Sequence, residues 1–258
     1  MELLVVASLA VVLGLVFGSF INVVAHRVPA GKSVVSPPSA CPACGHPIRN
    51  RDNIPVLSWL LLRGRCRDCG ARISSRYPIV EAATAALFAL AVAVIGLEWV
   101  LPAYLWFAGV GVTLILTDID VHRIPNRILY PGTVAGFVLL SVGSIVDDEL
   151  GSLWRAVAGA GVYFGLFLVL ALVARGGFGM GDVKLAFFLG LFLTYQSWGV
   201  LASGIALGIA IGGVLAIFLL VARKASRKAK FAFGPAMILG AYGALAFGQA
   251  LADWYVGA

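Results

Sequence analysis

Charged side chains are scarce in this chain. Only 12% of its 258 residues are Asp, Glu, Lys or Arg, against 61% hydrophobic, and the mean hydropathy is +0.99. A soluble domain carries about a quarter charged residues, so that class is excluded and the bilayer is the expected solvent. Basic residues are missing ahead of the first apolar run, where Glu2 is the only early side-chain charge, and the run is longer than a signal-peptide core. Leu3 to Ala25 is therefore expected to be a retained helix. No repeat with a period of about 20–50 residues is evident, which leaves no sign of the paired halves of an inverted-repeat transporter. A glycine-rich strand-to-helix fingerprint is also missing, so no Rossmann-type nucleotide site is expected.

What the chain has in abundance is long apolar runs of about 20 residues, the length a spanning helix needs. Eight are expected, at about 3–25, 78–96, 99–117, 128–146, 153–174, 183–198, 199–222 and 231–252. The weakest boundary falls at Tyr195, Gln196, Ser197 and Trp198, where only a tight interfacial turn separates two runs and a seven-span count stays open. Glycine is frequent within the runs, as at Gly204, Gly208, Gly212 and Gly213, and small residues let membrane helices approach closely. The fold class is thus an all-α polytopic membrane protein.

Charge placement tests the span count. With the N-terminus outside, nine Lys/Arg of segment 26–77 fall inside, joined by Arg123, Arg127, Arg175 and Lys184 and by Arg223, Lys224, Arg227, Lys228 and Lys230. This puts 18 of 19 basic residues on the cytoplasmic side, as the positive-inside rule requires, with Arg155 the exception. Glu98, Asp147, Asp148, Glu149 and Asp253 fall outside. The net charge of +7 is then topology, and nucleic acid is not an expected partner.

The polar segment 26–77 holds all four cysteines, as Cys41-Pro42-Ala43-Cys44 and Cys66-Arg67-Asp68-Cys69, each pair followed by glycine. Two such knuckles suit a closed tetrahedral thiolate site with no position left for chemistry. A loop this short has little core of its own, so bound metal would supply folding energy. Disulfides would need an oxidising compartment, and redox-active pairs are the other alternative. Structural zinc on Cys41, Cys44, Cys66 and Cys69 is the expectation, with His46 outside the ligand set.

Two aspartates border apolar runs, Asp118 in Leu116-Thr117-Asp118-Ile119-Asp120 and Asp182 in Gly179-Met180-Gly181-Asp182-Val183-Lys184. Ionisable groups are costly in lipid, and when kept there they mark a functional site. Asp182 alone would pass for a helix N-cap. Asp118 ends a span, where the helix dipole disfavours a negative charge, so it needs a compensating purpose. Asp120 is the less favoured alternative. Glycines before Asp182 would let backbone and substrate approach without an intervening Cβ.

Gly179-Met180-Gly181-Asp182 resembles the GxGD signature of intramembrane aspartyl proteases, and Asp118 with Ile124-Pro125-Asn126 is similar to the partner motif of the type IV prepilin leader peptidase/N-methyltransferase family. The similarity extends through Gly18-Ser19-Phe20-Ile21-Asn22 and His26-Arg27-Val28-Pro29, the cysteine segment, Asn53 to Trp59, Ser75 to Glu81, and Phe233-Gly234-Pro235, and so covers the whole chain. Lys184 to Phe188 are bulkier than the family pattern and Ala236 is smaller, but neither departure touches the aspartates.

The resemblance implies a bacterial cytoplasmic (inner) membrane enzyme with two activities. It would cleave the basic leader of type IV pilin-like precursors at the cytoplasmic face, then methylate the new N-terminal amine, usually of phenylalanine, with S-adenosylmethionine. Three regions follow: 1–25 as first helix, 26–77 as the cysteine loop implied in methyl transfer, and 78–258 as peptidase core. Asp118 and Asp182 would share a proton, one acting as general base on water and the other polarising the carbonyl. Glu81, Asn22 and Arg76 are polar candidates for the methyl-donor region. A peptidase without methyl transfer, a proton-coupled transporter and a non-enzymatic assembly factor are the alternatives.

Overall fold

The computed structural model describes residues 1–173, 179–221 and 233–256. Outside them lie Arg175, Gly176, Gly177 and Phe178, the basic residues Arg223, Lys224, Arg227, Lys228 and Lys230, and the expected span ends at 174, 222 and 231–232. The described residues are helical apart from loops and two isolated β-bridges. In chain order the helices are α1 (Glu2–Arg27), the short α2 (Leu57–Leu61), α3 (Arg76–Ile95), α4 (Leu101–Val121), α5 (Asn126–Val146), α6 (Leu150–Val173), α7 (Met180–Gln196), α8 (Trp198–Val221) and α9 (Gly234–Val256). They form two compact units, Met1–Gly96 and Leu97–Ala258.

In the first unit α1 lies against α3 through Gly14 and Gly18, one turn apart on one helix face. A Cβ at Gly14 would stand 2.6 Å from the Ala85 Cα, and one at Gly18 would stand 2.6 Å from the Glu81 Cα. Without those side chains the two backbones touch, the small-residue packing available to helices in lipid. Contact at Gly18 sets Ser19 and Asn22 beside Glu81.

In the second unit α7 is the central helix. Its residues from Val183 to Tyr195 are buried apart from Lys184 and Phe187, and its rings join those of α4 and α9 in a cluster of Phe107, Phe188, Phe192 and Tyr242. Gly190 brings it against α6, where an added Cβ would stand 2.7 Å from the Ala160 Cα. Gly208 and Gly240 do the same for α8 and α9, and Gly212 leaves room for Phe233 and Ala236. That close crossing explains why Ala236, 1% exposed, is small. Of the four span glycines singled out above, only Gly213 faces open space.

Seven of the long helices are long and apolar enough to cross a membrane, all except α7. The eight-span expectation is met for those seven. With 17 residues α7 measures about 26 Å, against a hydrocarbon core of about 30 Å. Its C-terminal end is fixed by Arg155, whose Nε donates to the Thr194 carbonyl at 2.9 Å and whose Nη2 donates to the carbonyls of Tyr195 and Gln196. The one basic residue that breaks the charge partition is thus occupied by a helix terminus. Ser197, extended at φ −167° and ψ 165°, then separates α7 from α8, so the doubtful sequence boundary is a break between two helices.

Gly18→Leu should force α1 from α3, whereas Gly213→Leu should be silent. Overpacking typically costs about 1–3 kcal/mol. Thermal unfolding in detergent should therefore show a lowered midpoint for the first variant and none for the second.

Candidate functional site

Asp118 stands in the last turn of α4, which runs to Val121 and ends on His122 in the left-handed region at φ 49°. The side chain is 5% exposed, while Asp120 is exposed. A carboxylate at a helix C-terminus opposes the dipole, but here the carboxyl faces the backbone N–H of Gly234, at the start of α9. The positive end of a second helix offsets the negative end of the first. A Cβ at Gly234 would come 2.8 Å from Asp118 Oδ2 and 3.2 Å from Ile124 Cδ1, so this approach needs glycine.

Asp182 occupies the third position of α7, after the N-cap Gly179. Its carboxyl faces the Gly179 N–H, and its own N–H donates to the Gly179 carbonyl at 3.0 Å, closing the first turn of the helix. Asp118 and Asp182 lie within reach of each other's charge, and Tyr163 of α6, 1% exposed, lies within reach of Asp182. Ile124 fills the space between the two glycine motifs, meeting the position of a Gly181 Cβ at 3.3 Å as well as that of Gly234. Lys184 Nζ donates to Asn126 Oδ1 at 3.2 Å and sits 5.5 Å above the Tyr130 ring. Ile124-Pro125-Asn126 is thereby fixed against the start of α7, and Lys184 has a structural task that a smaller residue would not perform.

The four cysteines converge in the first unit. Their sulfur atoms all lie within 4.8 Å of one another, with Cys41 and Cys69 at 3.8 Å. For metal–sulfur bonds of about 2.3 Å the edge of a tetrahedron is about 3.8 Å, so the spacing fits a four-thiolate ion. Both knuckles share one construction. Cys41 N–H donates to the His46 carbonyl and Gly45 N–H to the Cys41 carbonyl; Cys66 N–H donates to the Ala71 carbonyl and Gly70 N–H to the Cys66 carbonyl. Gly45 and Gly70 have φ of 73° and 71°, which only glycine adopts without strain. His46 is exposed and outside the cluster.

Thiol chemistry in the cluster is uneven. N–H groups of Cys44 and Ala43 directed at the Cys41 sulfur bring that thiol down to about 6. At Cys69 the Ala71 N–H favours the thiolate, but burial and the sulfurs of Cys44, Cys66 and Cys41 outweigh it and push the group up to about 12. One thiolate thus forms readily and its neighbours resist the next charge, an imbalance that a bound dication removes.

A cavity of about 900 Å³ opens beside this cluster, lined by α1, α3 and the intervening loop. It lies in the range of small-molecule sites. Its inner wall carries Ser19, Asn22, Trp59 and Glu81. Asn22 is buried, with Nδ2 donating to the Gly18 carbonyl at 3.1 Å and the Tyr77 carbonyl at 3.4 Å. Trp59 Nε1 donates to the Ile73 carbonyl at 3.2 Å. Arg67 clamps Asp52 through both carboxylate oxygens at 2.6–3.0 Å, holding Asp52 below the usual carboxylate range and tying the second knuckle to the turn before α2.

Two family models match the chain, the Bacterial Peptidase A24 N-terminal domain over residues 12–95 and the Type IV leader peptidase family over residues 105–222. Proteins named prepilin leader peptidase/N-methyltransferase are similar over nearly their full length. The one from Stutzerimonas stutzeri is 33% identical over 96% of this chain and 92% of its own, and that from Aeromonas hydrophila 34% over 96% and 93%. The one from Bacillus subtilis is 30% identical over 96% and 97%. This chain belongs to the type IV prepilin leader peptidase/N-methyltransferase family. No solved structure matches it.

The two matched regions of this leader peptidase family member fall one in each compact unit. Of the residues singled out in the sequence, Asp118 and Asp182 are brought together, as are the four cysteines, while Asn22 and Glu81 line one cavity that Arg76 does not line. Gly234, Ile124 and Val56 lie inside motifs quoted from the sequence, but their roles in the sites escaped sequence reasoning. A Gly-Pro pair opening a helix was the available signal for the first. None announced Val56, because β-branched residues are poor candidates for its positive φ.

Purified protein should contain one metal ion per chain by elemental analysis. Cys41→Ser and Cys66→Ser should each lower that content, since each removes a corner of the tetrahedron.

Proposed function

We infer that the protein cleaves the basic leader from type IV prepilin-like precursors at the cytoplasmic face of the bacterial inner membrane, using Asp118 and Asp182, and then N-methylates the new N-terminal residue. The observation that carries the peptidase half is the convergence of these two carboxyls from α4 and α7, each against a helix N-terminus. α7 serves as the eighth crossing, with the N-terminus outside and both aspartates toward the cytoplasm. Its shortness is tolerable because its flanks meet other helices rather than lipid.

In the hydrolytic step one aspartate, ionised, takes a proton from water as that water attacks the scissile carbonyl. The other, protonated, donates a hydrogen bond to the carbonyl oxygen and later gives its proton to the leaving amine. Glycines at 179, 181 and 234 let the two carboxyls and Ile124 close in on the helix starts without an intervening Cβ. The precursor's apolar stem lies in the bilayer and presents the bond at the level where the two carboxyls lie.

The first unit supplies methyl transfer. Zinc on Cys41, Cys44, Cys66 and Cys69 is structural, since four thiolates close its coordination. The 900 Å³ cavity is the site for S-adenosylmethionine, with the Trp59 ring, Asn22 and Ser19 among the groups that would hold it. When bound it supplies an electrophilic methyl group on a sulfonium sulfur. The chain's own part is to shape the cavity, orient the polar ends and bring an amine to it.

Asp118→Asn and Asp182→Asn should each abolish leader cleavage of a co-expressed prepilin while the protein stays inserted, read by mass spectrometry of the pilin N-terminus. Normal processing by either variant would overturn the assignment. Gly234→Ala should displace the Asp118 carboxyl and lower kcat by about 100-fold with KM little changed, the penalty typical of an ångström-scale misplacement.

A further inference from the structure

Glu81 is a buried carboxylate inside a helix apolar enough to cross a membrane, 6% exposed and lining the first unit's cavity. It lies five residues into α3, about 8 Å from the helix start. Ionisable groups at such depth are rare unless they act. Its Oε2 accepts the Val56 N–H at 2.7 Å, and the Ser19 hydroxyl lies beside the same carboxyl. Val56 reaches it only by adopting φ 59° and ψ −51°, a conformation that β-branched residues avoid and that persists when the surroundings impose it.

The other acids of the cavity lining are already neutralised. Asp52 is clamped by Arg67, and Asp68 pairs with Arg49 at 2.8 Å. No ion pair forms with Glu81 among the described residues. A carboxylate has about four acceptor positions, and the two donors leave the others for a ligand. Such a group suits a cation that donates hydrogen bonds. A sulfonium centre donates none, whereas a primary ammonium donates three, and the depth of Glu81 within a membrane-crossing helix favours the amine that ends a membrane-spanning stem over the amino-acid end of the donor.

Resting on the methyl-transfer function proposed above, we propose that Glu81 receives the free α-ammonium of the processed substrate chain and takes its proton, leaving the nitrogen nucleophilic. The proton moves from nitrogen to the Glu81 carboxylate, freeing the nitrogen lone pair. That pair forms the new N–CH3 bond as the S–CH3 bond of the sulfonium donor breaks, and the donor departs as a neutral thioether. Glu81 then returns its proton to water, so one proton is released per methyl transferred. Val56 N–H and the Ser19 hydroxyl hold the carboxyl in one orientation throughout, and they are positioning groups. An amine at the end of a membrane-spanning stem meets Glu81 at that shallow depth without leaving the bilayer.

The test uses full-length protein in detergent and a fluorescent peptide of a mature pilin-like N-terminus, with its α-amine either free or acetylated. Wild type should bind the free-amine peptide about tenfold more tightly, equivalent to about 1.4 kcal/mol. Glu81→Gln, which keeps an acceptor for the Val56 N–H, should erase that preference and slow methylation about 100-fold, the usual size of a general-base contribution. Glu81→Asp should restore part of both. Metal content and thermal unfolding report whether each variant is folded. A Glu81→Gln protein that retains the preference for a free amine overturns the proposal, even if its methylation is slow. Absence of methyl incorporation by wild type would instead count against methyl transfer itself, and the binding arm, which needs no methyl donor, would still decide the role of Glu81.

Discussion

A carboxylate buried among membrane helices has to find hydrogen-bond donors inside the protein, and in the second unit backbone N–H groups at helix starts provide them. The Gly234 N–H faces Asp118 and the Gly179 N–H faces Asp182. A side chain at position 234 would occupy the space of the carboxyl, so the donor is glycine, and its residue-level geometry sets the start of α9. From there the constraint spreads. α9 must cross α8 closely, which Gly208 and Gly240 permit, and α7 must begin beside α4, which the Lys184–Asn126 hydrogen bond and Ile124 secure. The interior position of α7 and its short length agree with the same demand, since a helix that carries a half-buried acid at its first turn is best enclosed by protein.

The first unit answers a different difficulty. Its loop between α1 and α3 has few buried apolar side chains, and its order comes from polar staples: two matching knuckles, the Arg67–Asp52 clamp and the bond from Val56 to Glu81. Four sulfur atoms held within 4.8 Å of one another have the spacing of a four-thiolate metal site. Glu81 then joins the loop to α3, at the level where Gly18 draws α1 against that helix. The cavity wall therefore depends on both the cysteine cluster and the small-residue crossing.

Much of this was legible in the residues. Apolar runs located the helices, charge placement separated the polar loops, and the glycines after each cysteine pair foretold the positive φ that the knuckles adopt. Asp118 and Asp182 could be singled out because they were out of place in apolar surroundings. The parts that were not legible share a physical character. Gly234 as the donor to Asp118 depends on a pairing 116 positions apart in sequence, and the strain at Val56 contradicts local preference. Arg155 looked like a topological anomaly until the carbonyls at the end of α7 gave it a task. Local pattern reports local preference, and each of these features exists because a distant group overrides it.

The aspartate pair and Glu81 differ as the chemistry proposed for each requires. Peptide hydrolysis needs a base for water and, in the same step, an acid for the carbonyl and the leaving amine. In the proposed hydrolysis two carboxyls within reach of each other's charge would supply both, because the charge on one favours the proton on the other. Methylation of an amine needs only a proton acceptor, since the leaving thioether departs without protonation. A second acid near Glu81 would weaken it as a base by sharing its proton. Its setting agrees: the other acids of that cavity are each bound by an arginine, and Glu81 keeps only neutral donors, from Val56 and Ser19.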